Sequence, residues 1–204
     1  MSFKTPQLTD FLNKIKKVRV SLKQSDDQEF PLVFNGTGYT IARGGIHSTE
    51  KNRIIEPGPN EILRDADVGA QYPNAINKRK LYPKHLGVVW NEGMKNTIIE
   101  KDFYKQKGKT TTDKKLKNKF KGLEGMKKLQ MNGGGFGKTL ETTNWQYAPE
   151  VGYYCTIGNQ FEILMLIEML ELEGIHCISG NTDGIVCLFH KSMEEKYYEV
   201  CHKC

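Results

Sequence analysis

The spacing of apolar side chains changes several times along this chain, and each change marks a predicted element. Over residues 1–23 the apolar positions recur at helical spacing and predict a helix: Leu8, Phe11, Leu12, Ile15 and Val18. Residues 24–60 hold many glycines and prolines and predict turns. A strand is predicted over 62–68. Pro73 follows where a helix can begin, since the first helical turn does not need its missing N–H.

The middle of the chain predicts one further strand and then a pair of helices. Residues 85–93 predict the strand, through Leu86, Val88, Val89 and Trp90. Residues 97–131 predict two helices around a polar tip at 107–113, and the glycine cluster at 133–137 ends the second helix. We expect this pair of helices to be an insertion between two sheet-forming parts.

The last part of the chain predicts a buried helix followed by a hairpin. Residues 158–173 form the helix, and two short apolar runs follow at 175–179 and 185–189. The sequence Asn181-Thr182-Asp183-Gly184 lies between the two runs and predicts a hairpin turn. The expected fold class is therefore α/β (α+β), a sheet with a helical-hairpin insertion.

Apolar composition and cysteine usage favour a cytoplasmic protein. The most apolar stretch, 161–172, carries three glutamates, so no membrane span and no membrane partner are expected. Five cysteines, an odd number with wide early spacing, predict reduced thiols instead of a disulfide framework. Cys201 and Cys204 form a CxxC pair, which is either half of a zinc site or two ordinary cysteines.

Positive charge is concentrated in one segment. The whole chain of 204 residues has a net charge of +6. Residues 101–128 alone contain eleven lysines against Asp102, Asp113 and Glu124, which gives 11 − 3 = +8. Such a patch suits a polyanion, either DNA or a triphosphate. Charge alone equally allows a solvated helical face.

Two aspartates lie where a sheet can present them to solvent. Asp67 ends a predicted strand, and Asp183 lies at the tip of the predicted hairpin. If those strands are neighbours, the two carboxylates converge and repel each other, and a divalent cation relieves the repulsion. Mg²⁺ usually binds through one or two carboxylates plus substrate phosphates. A pair of such ions can stabilise both the attacking and the leaving oxygen of a nucleotidyl transfer. Taken alone, Asp183 is also explained as an ordinary turn residue.

Three segments resemble, in the same order, the polymerase motifs of family B DNA polymerases. The first motif is an Asp followed five residues later by Tyr-Pro. The second is Lys-x-x-x-Asn leading into Phe-Gly, and the third is Asn-Thr-Asp-Gly, a form similar to that of phage members. In this sequence the segments run from Asp67 to Pro73, from Lys128 to Gly137 and from Asn181 to Gly184. The first Asp of the usual third motif is Asn181 here.

The resemblance implies a metal site. Asp67 and Asp183 would ligate two Mg²⁺ ions, or Mn²⁺ in their place, with the Val68 carbonyl as a further ligand. The motif that contains Arg43, Gly44 and Gly45 resembles the Gly-Gly loop that contacts template DNA in this family. A plain turn explains those glycines equally well.

The resemblance also implies a nucleotide site. Tyr72 would lie under the sugar and exclude a 2′-OH; a core tyrosine is the alternative, which the Tyr-Pro context disfavours. Lys128 would hold the triphosphate and protonate the departing pyrophosphate, and Asn132 and Phe136 would line the base-pair pocket. Lys101 and Lys105, one helical turn apart, resemble a phosphate-gripping basic pair; a solvated face is the alternative.

As a member of this family the chain would be the palm-and-fingers part of a longer polymerase, with the exonuclease and thumb absent. Residues 1–60 would lead into the palm, 61–96 and 139–204 would form the palm, and 97–138 would form the fingers. Its partners would be primer–template DNA and dNTPs, in DNA replication of a phage within its bacterial host. Without a thumb, we expect weak synthesis or none from these 204 residues alone.

Two other interpretations stay open. One is a catalytically incompetent polymerase fragment that still binds DNA through its lysines. The other is a P-loop NTPase, suggested by Gly137-Lys138-Thr139. That motif needs a glycine where Asn132 stands, and a strand before the loop where a helix is predicted.

Overall fold

A computed structural model describes residues 2–19, 28–50 and 52–204, and the chain divides into two compact units. The sheet unit comprises Met1–Gly69 and Thr156–Cys204, and the helical unit comprises Ala70–Cys155. The helical unit therefore begins earlier and ends later than the 97–138 segment expected for the fingers. It is a single continuous insertion between two sheet-forming parts.

The sheet unit contains one antiparallel sheet of six strands in the order β1-β2-β3-β5-β6-β4. This sheet and its helices confirm the predicted α+β class. The strands are β1 Phe30–Phe34, β2 Thr37–Ile41, β3 Ile46–Ser48, β4 Glu61–Asp67, β5 His176–Asn181 and β6 Gly184–His190. The helices that accompany the sheet are α1 Pro6–Ile15, the Thr156-onward part of α5 Pro149–Leu172, and α6 Glu194–Lys203, which follows the short 3-10 turn Lys191–Met193.

The core of the sheet unit follows from alternation along the strands. Residues opposite each other on neighbouring strands face the same side of the sheet, so Ile62 pairs with Phe189 and Ala66 with Ile185 on the core side. Apolar side chains of the three helices complete this core. Its largest members are fully buried: Leu8, Tyr39, Ile41, Ile46, Leu164, Ile167, Leu170, Ile175, Ile185 and Tyr197.

Two glutamates on the buried helix α5 hold other segments in place. Glu168 is 2% exposed, and its carboxylate accepts hydrogen bonds from the backbone N–H groups of Lys4 and Thr5 and from the Thr5 hydroxyl at 2.6 Å. Glu171 accepts from the Cys177 N–H at 2.7 Å and contacts the His176 ring nitrogen at 2.9 Å. Glu168 therefore fixes the start of α1, and Glu171 fixes the start of β5.

We predict that Glu168→Ala destabilises the protein by about 3 kcal/mol, because several charge-assisted hydrogen bonds to the partly buried start of α1 are lost together. The measurement is urea unfolding followed by circular dichroism. Glu92→Ala is the matched control, since Glu92 is exposed, and we expect a change within about 0.5 kcal/mol. Equal stability of the two variants would show that Glu168 does not anchor α1.

The helical unit is built around a hairpin of two long helices. Its elements are α2 Gln71–Lys78, α3 Val88–Thr110, α4 Lys114–Asn132, the 3-10 turn Phe136–Leu140 and the first residues of α5. A small core joins them, made by Ile76, Met94, Ile98, Met131 and Cys155. The Asp113 carboxylate caps α4 by accepting from the N–H groups of Lys115 and Leu116 at 2.8 and 3.0 Å.

Several predicted elements are confirmed by this arrangement. The strand expected at 62–68, the helix pair expected at 97–131, the helix end at Gly133 and the hairpin around Asp183 are all present. The buried helix expected at 158–173 begins earlier, at Pro149. Of the helix expected over residues 1–23, α1 forms part, and residues 1 and 20–23 lie outside the described residues.

Two predictions were wrong. Most of the strand expected at 85–93 is instead the beginning of α3. Val88, Val89 and Trp90 form the first turn of this helix, and Asn91 and Met94 are its first buried residues. The segment 24–60, expected to be turns, contains β1, β2 and β3. The glycines of this segment lie within or between short strands. Hydrogen bonds to neighbouring strands stabilise these strands, although the local residue preferences do not favour them.

All five cysteines are free, which confirms the expected reduced thiols. Cys177 and Cys187 lie opposite each other on β5 and β6, with their sulfur atoms 3.3 Å apart. The hydrogen bond with Cys187 and the burial of the site both raise the pKa of the Cys177 thiol. Within the described part of the chain no cluster of three metal-ligating side chains exists, so Cys201 and Cys204 have no further zinc ligand there.

No helix among the described residues has the length and apolar character needed to cross a bilayer.

Candidate functional site

The pairing of β4 with β6 brings the two predicted aspartates together. Asp67 is the last residue of β4 and lies directly opposite Gly184, the first residue of β6. One step further, the Val68 N–H donates a hydrogen bond of 2.8 Å to the carbonyl of Asp183. The strand end and the hairpin tip therefore meet, and two carboxylate residues occupy adjacent positions at one end of the sheet.

A row of residues crosses four strands at this end of the sheet. His47 lies opposite Asn181, Asn181 opposite Gly184, and Gly184 opposite Asp67. Opposed residues share a face, and the side chains of His47, Asn181 and Asp67 are exposed. Because Gly184 has no side chain, the row has a gap between Asn181 and Asp67; a Cβ there would lie 3.6 Å from the Asp67 Oδ1 atom.

The sequence patterns did not indicate His47 as a candidate site residue. Its segment was assigned to turns, so no strand pairing linked it to the third motif. The only sequence signal was the short strand Ile46–Ser48, in which Ile46 and Ser48 flank His47.

The hairpin tip that carries Asp183 has a strained backbone. Thr182 has φ of +54°, which is unfavourable for a β-branched residue. The conformation is held from both sides: the Thr182 N–H donates to the Ile46 carbonyl at 2.7 Å, and the Asp183 N–H donates to the Asn181 carbonyl at 2.6 Å. Such strain persists only where the surrounding structure enforces it, and it clusters at functional sites.

The predicted Gly-Gly loop between β2 and β3 packs against this tip. A Cβ on Gly45 would lie 2.8 Å from the Thr182 hydroxyl and 3.2 Å from the Thr182 Cβ, so only glycine fits. The base of the loop is fixed by the buried Gln160 of α5. Its amide accepts from the Ala42 N–H at 3.1 Å and donates to the Ala42 carbonyl at 2.8 Å. The loop with Arg43, Gly44 and Gly45 therefore adjoins the tip.

We predict that Gly45→Ala destabilises the protein by about 1–3 kcal/mol, because the added methyl group displaces Thr182 from its packed position. Gly44→Ala is the matched control: nothing lies within 4 Å of its Cβ position, and stability should be unchanged or slightly raised. Chemical unfolding measures both variants.

A second change separates the proposed clash from other causes. Thr182→Gly removes the side chain that meets residue 45 and also relieves the positive φ. Gly45→Ala should then cost much less in the Thr182→Gly background than in the wild type. Equal costs in the two backgrounds would show that the contact is unimportant.

The donor set at this end of the sheet fits a hard divalent cation. Asp67 and Asp183 offer carboxylate oxygens and Val68 offers a backbone carbonyl, and both Asp67 and Val68 are exposed. No cluster of three or more His, Cys, Asp or Glu side chains occurs in the described ranges, so at most two such side chains can act as ligands here. That number suits Mg²⁺, which normally completes its shell with water and substrate phosphates, and it is too few for structural zinc.

The helical unit collects the predicted nucleotide residues at the end of α4. The rings of Tyr72 and Phe136 have centroids 4.9 Å apart at an angle of 45°. Both rings pack on the small core of this unit. Asn132 is the last residue of α4, and its buried side-chain oxygen has no hydrogen-bond partner. An unpartnered buried acceptor is costly unless a ligand or water donates to it.

The predicted basic residues of this unit differ in their surroundings. Lys128 is exposed and lies one helical turn before Asn132 on the same face of α4. Lys105 is also exposed, whereas the Lys101 side chain is only 13% exposed, with its Nζ 3.1 Å from the Asp102 carboxylate. Lys101 is therefore partly committed to an ion pair, and Lys105 and Lys128 are available to an anion.

The helix before the glycine cluster bears on the P-loop alternative. Residues up to Asn132 form α4, whereas a P-loop follows a strand and begins with glycine. The Lys138 Nζ donates to the Glu141 carboxylate at 2.6 Å. Neither the preceding element nor the environment of the lysine matches a phosphate-binding loop.

No protein-family model matches the chain, and no curated protein matches its sequence significantly. The resemblance to family B DNA polymerases therefore rests on the three motifs and on the geometry of the residues within them.

Proposed function

We propose that this chain carries the catalytic core of a family B-like DNA polymerase, which adds a deoxynucleoside monophosphate from dNTP to a primer 3′-OH. The observation that carries the proposal is the meeting of Asp67 and Asp183 at one end of the sheet, through the β4–β6 pairing and the Val68–Asp183 hydrogen bond. These two residues come from motifs 116 positions apart in the sequence, so their convergence is not a local effect.

In this proposal Asp67, Asp183 and the Val68 carbonyl hold two Mg²⁺ ions, or Mn²⁺. When bound, such ions stabilise the charges that develop on the attacking and leaving oxygens. The strained turn at Thr182 and the close packing of Gly45 keep the Asp183 backbone in one position. A fixed carboxylate position matters because small displacements of a catalytic group lower the rate strongly.

The helical unit would supply the nucleotide contacts. Lys128 presents an exposed ammonium group that would hold the triphosphate and donate a proton to the departing pyrophosphate. The Tyr72 ring packs against Phe136, with ring centroids 4.9 Å apart, and would lie under the sugar. A rigid ring in that position would exclude a 2′-hydroxyl, and the free oxygen of Asn132 would accept a hydrogen bond from the nucleotide.

We predict that Asp183→Ala and Asp67→Ala each lower nucleotide incorporation at least about a hundredfold, because several kcal/mol of transition-state stabilisation depend on the ions they hold. Asp65→Ala is the matched control, since Asp65 is exposed two residues earlier on β4 and should leave the rate unchanged. Primer extension with dNTPs and Mg²⁺ is the measurement, made in the longer polymerase that this proposal implies, since weak synthesis or none is expected from these 204 residues alone.

A second readout does not require synthesis. Binding of Mn²⁺ in the presence of dNTP, followed by electron paramagnetic resonance, should weaken in both variants and stay unchanged in Asp65→Ala. Wild-type Mn²⁺ affinity in Asp183→Ala would exclude the proposed metal site, whether or not the chain extends a primer.

We predict that Tyr72→Ala lowers the preference for dNTP over rNTP by about tenfold or more, since it removes the ring expected under the sugar. Single-nucleotide incorporation by the longer polymerase, with matched dNTP and rNTP, measures the ratio. Tyr154→Ala, at a tyrosine that is 68% exposed in the same unit, serves as the control. Unchanged discrimination in Tyr72→Ala would mean that this ring does not select the sugar.

A further inference from the structure

Charge is divided unequally between the two ends of the α3–α4 hairpin. At its base, residues 97–105 and 122–131 carry four lysines and three acids, a net charge of 4 − 3 = +1. Toward its tip, residues 106–121 carry seven lysines and one acid, a net charge of 7 − 1 = +6. We call residues 106–121 the distal segment. The excess positive charge of the hairpin thus lies away from Lys128, Asn132 and Lys105.

The ion pairs follow the same division. At the base, Lys127 pairs with Glu100 and Lys101 with Asp102. In the distal segment, which is described throughout, no lysine pairs with a carboxylate, and all seven are exposed: Lys107, Lys109, Lys114, Lys115, Lys117, Lys119 and Lys121. Its one acid, Asp113, is occupied by capping α4.

This distribution opposes helix stability. Lys115 and Lys119, and likewise Lys117 and Lys121, are like charges four residues apart on a helix, where they repel each other. Asp113, the one acid of the distal segment, caps α4, and no other acid in the segment offsets this repulsion. A polyanion that binds here relieves this repulsion, which is the charge complementarity expected of a nucleic-acid contact.

The spacing of the lysines suits a row of phosphates. Lys114, Lys117 and Lys121 recur on one face of α4, about 4.5 and 6 Å apart along the axis at 1.5 Å per residue. Since a strand carries a phosphate every ~3.4 Å along a duplex axis, each lysine can meet a separate phosphate.

An exposed aromatic ring lies beside the distal segment. The Phe103 ring is 53% exposed, and the ammonium group of Lys107 lies 5.5 Å from its centre. An exposed ring next to cations is the combination on which unpaired bases stack, whereas bases inside a duplex offer no free face.

We propose that the distal segment with Phe103 is a binding site for single-stranded DNA, distinct from the nucleotide contacts at the base of the hairpin. The lysines contact the phosphates and the Phe103 ring stacks on a base. This site requires no metal and no catalysis, so it stands or fails independently of the proposed polymerase activity.

The test is fluorescence anisotropy with a labelled single-stranded oligonucleotide, without metal or dNTP. The variant replaces Lys114, Lys117 and Lys121 with Gln, which keeps helix propensity. We expect its affinity to fall at least tenfold and the slope of log affinity against log salt to fall by about 2, at about 0.7 for each lost phosphate contact of a single strand. A variant with Lys14, Lys16 and Lys17 replaced by Gln removes the same charge at the end of α1 and just after it, and should bind as the wild type does.

A second variant tests the stacking. Phe103→Leu keeps an apolar side chain without the ring, and it should weaken single-stranded DNA about tenfold while leaving the salt slope unchanged. Circular dichroism checks that both variants keep their helices.

Three results would overturn the proposal. Equal loss of affinity in the distal and α1 lysine variants would show that only net charge matters. Tighter binding of a duplex than of a single strand, with no effect of Phe103→Leu, would assign the surface to double-stranded DNA. Unchanged DNA binding with weaker dNTP binding in the distal variant would assign these lysines to the triphosphate.

Discussion

The pairing of β4 with β6 is the constraint on which the candidate site depends. Seven consecutive residue pairs join the strands, and the ladder ends with Asp67 opposite Gly184. Core contacts such as Ile62 with Phe189 set the register, because a slip of one residue would turn the apolar side chains of β4 to the exposed face. The same slip would carry Asp67 to the opposite face. The packing that stabilises the sheet therefore also determines where the first carboxylate lies.

The second carboxylate depends on contacts that are separate from the core. Asp183 follows a residue in an unfavourable backbone conformation, and the turn keeps that conformation through the Ile46 carbonyl and the close approach of Gly45. The Gly45 loop is itself tied to α5 by Gln160. A chain of specific contacts thus connects the buried helix to the hairpin tip, and each link requires a particular residue. This is how a strained turn remains ordered at the surface of a sheet.

Elements that depend on residues close together in the sequence could be predicted from the sequence. Features that depend on contacts between distant segments could not. The β4 strand, the helix pair and the Asp183 turn follow from apolar periodicity and turn chemistry, and the three motifs pointed to the two aspartates. The strands β1 to β3 were missed because short strands rich in glycine are stabilised by their neighbours. Consequently His47, whose place in the row with Asp67 comes from pairing with β5, could not be identified. The beginning of α3 was also missed, since Val88, Val89 and Trp90 favour strands locally and only their neighbours along the helix indicate otherwise.

The two units expose groups of opposite charge, and this difference narrows the chemical class of the ligands that they can bind. At the end of the sheet, the adjacent positions of Asp67 and Asp183 favour a cation. On the hairpin, exposed lysines without acidic partners favour an anion. A metal ion alone would neutralise only the carboxylates, and a polyanion alone would neutralise only the lysines. Magnesium nucleotides and nucleic acids combine phosphate with bound cations, so the charge of each unit suits one part of the proposed substrates. A simple hydrolase with a metal site would need the carboxylates but would leave the seven exposed lysines of the distal segment without a role, whereas the proposed nucleotidyl transfer on DNA would give a role to both groups.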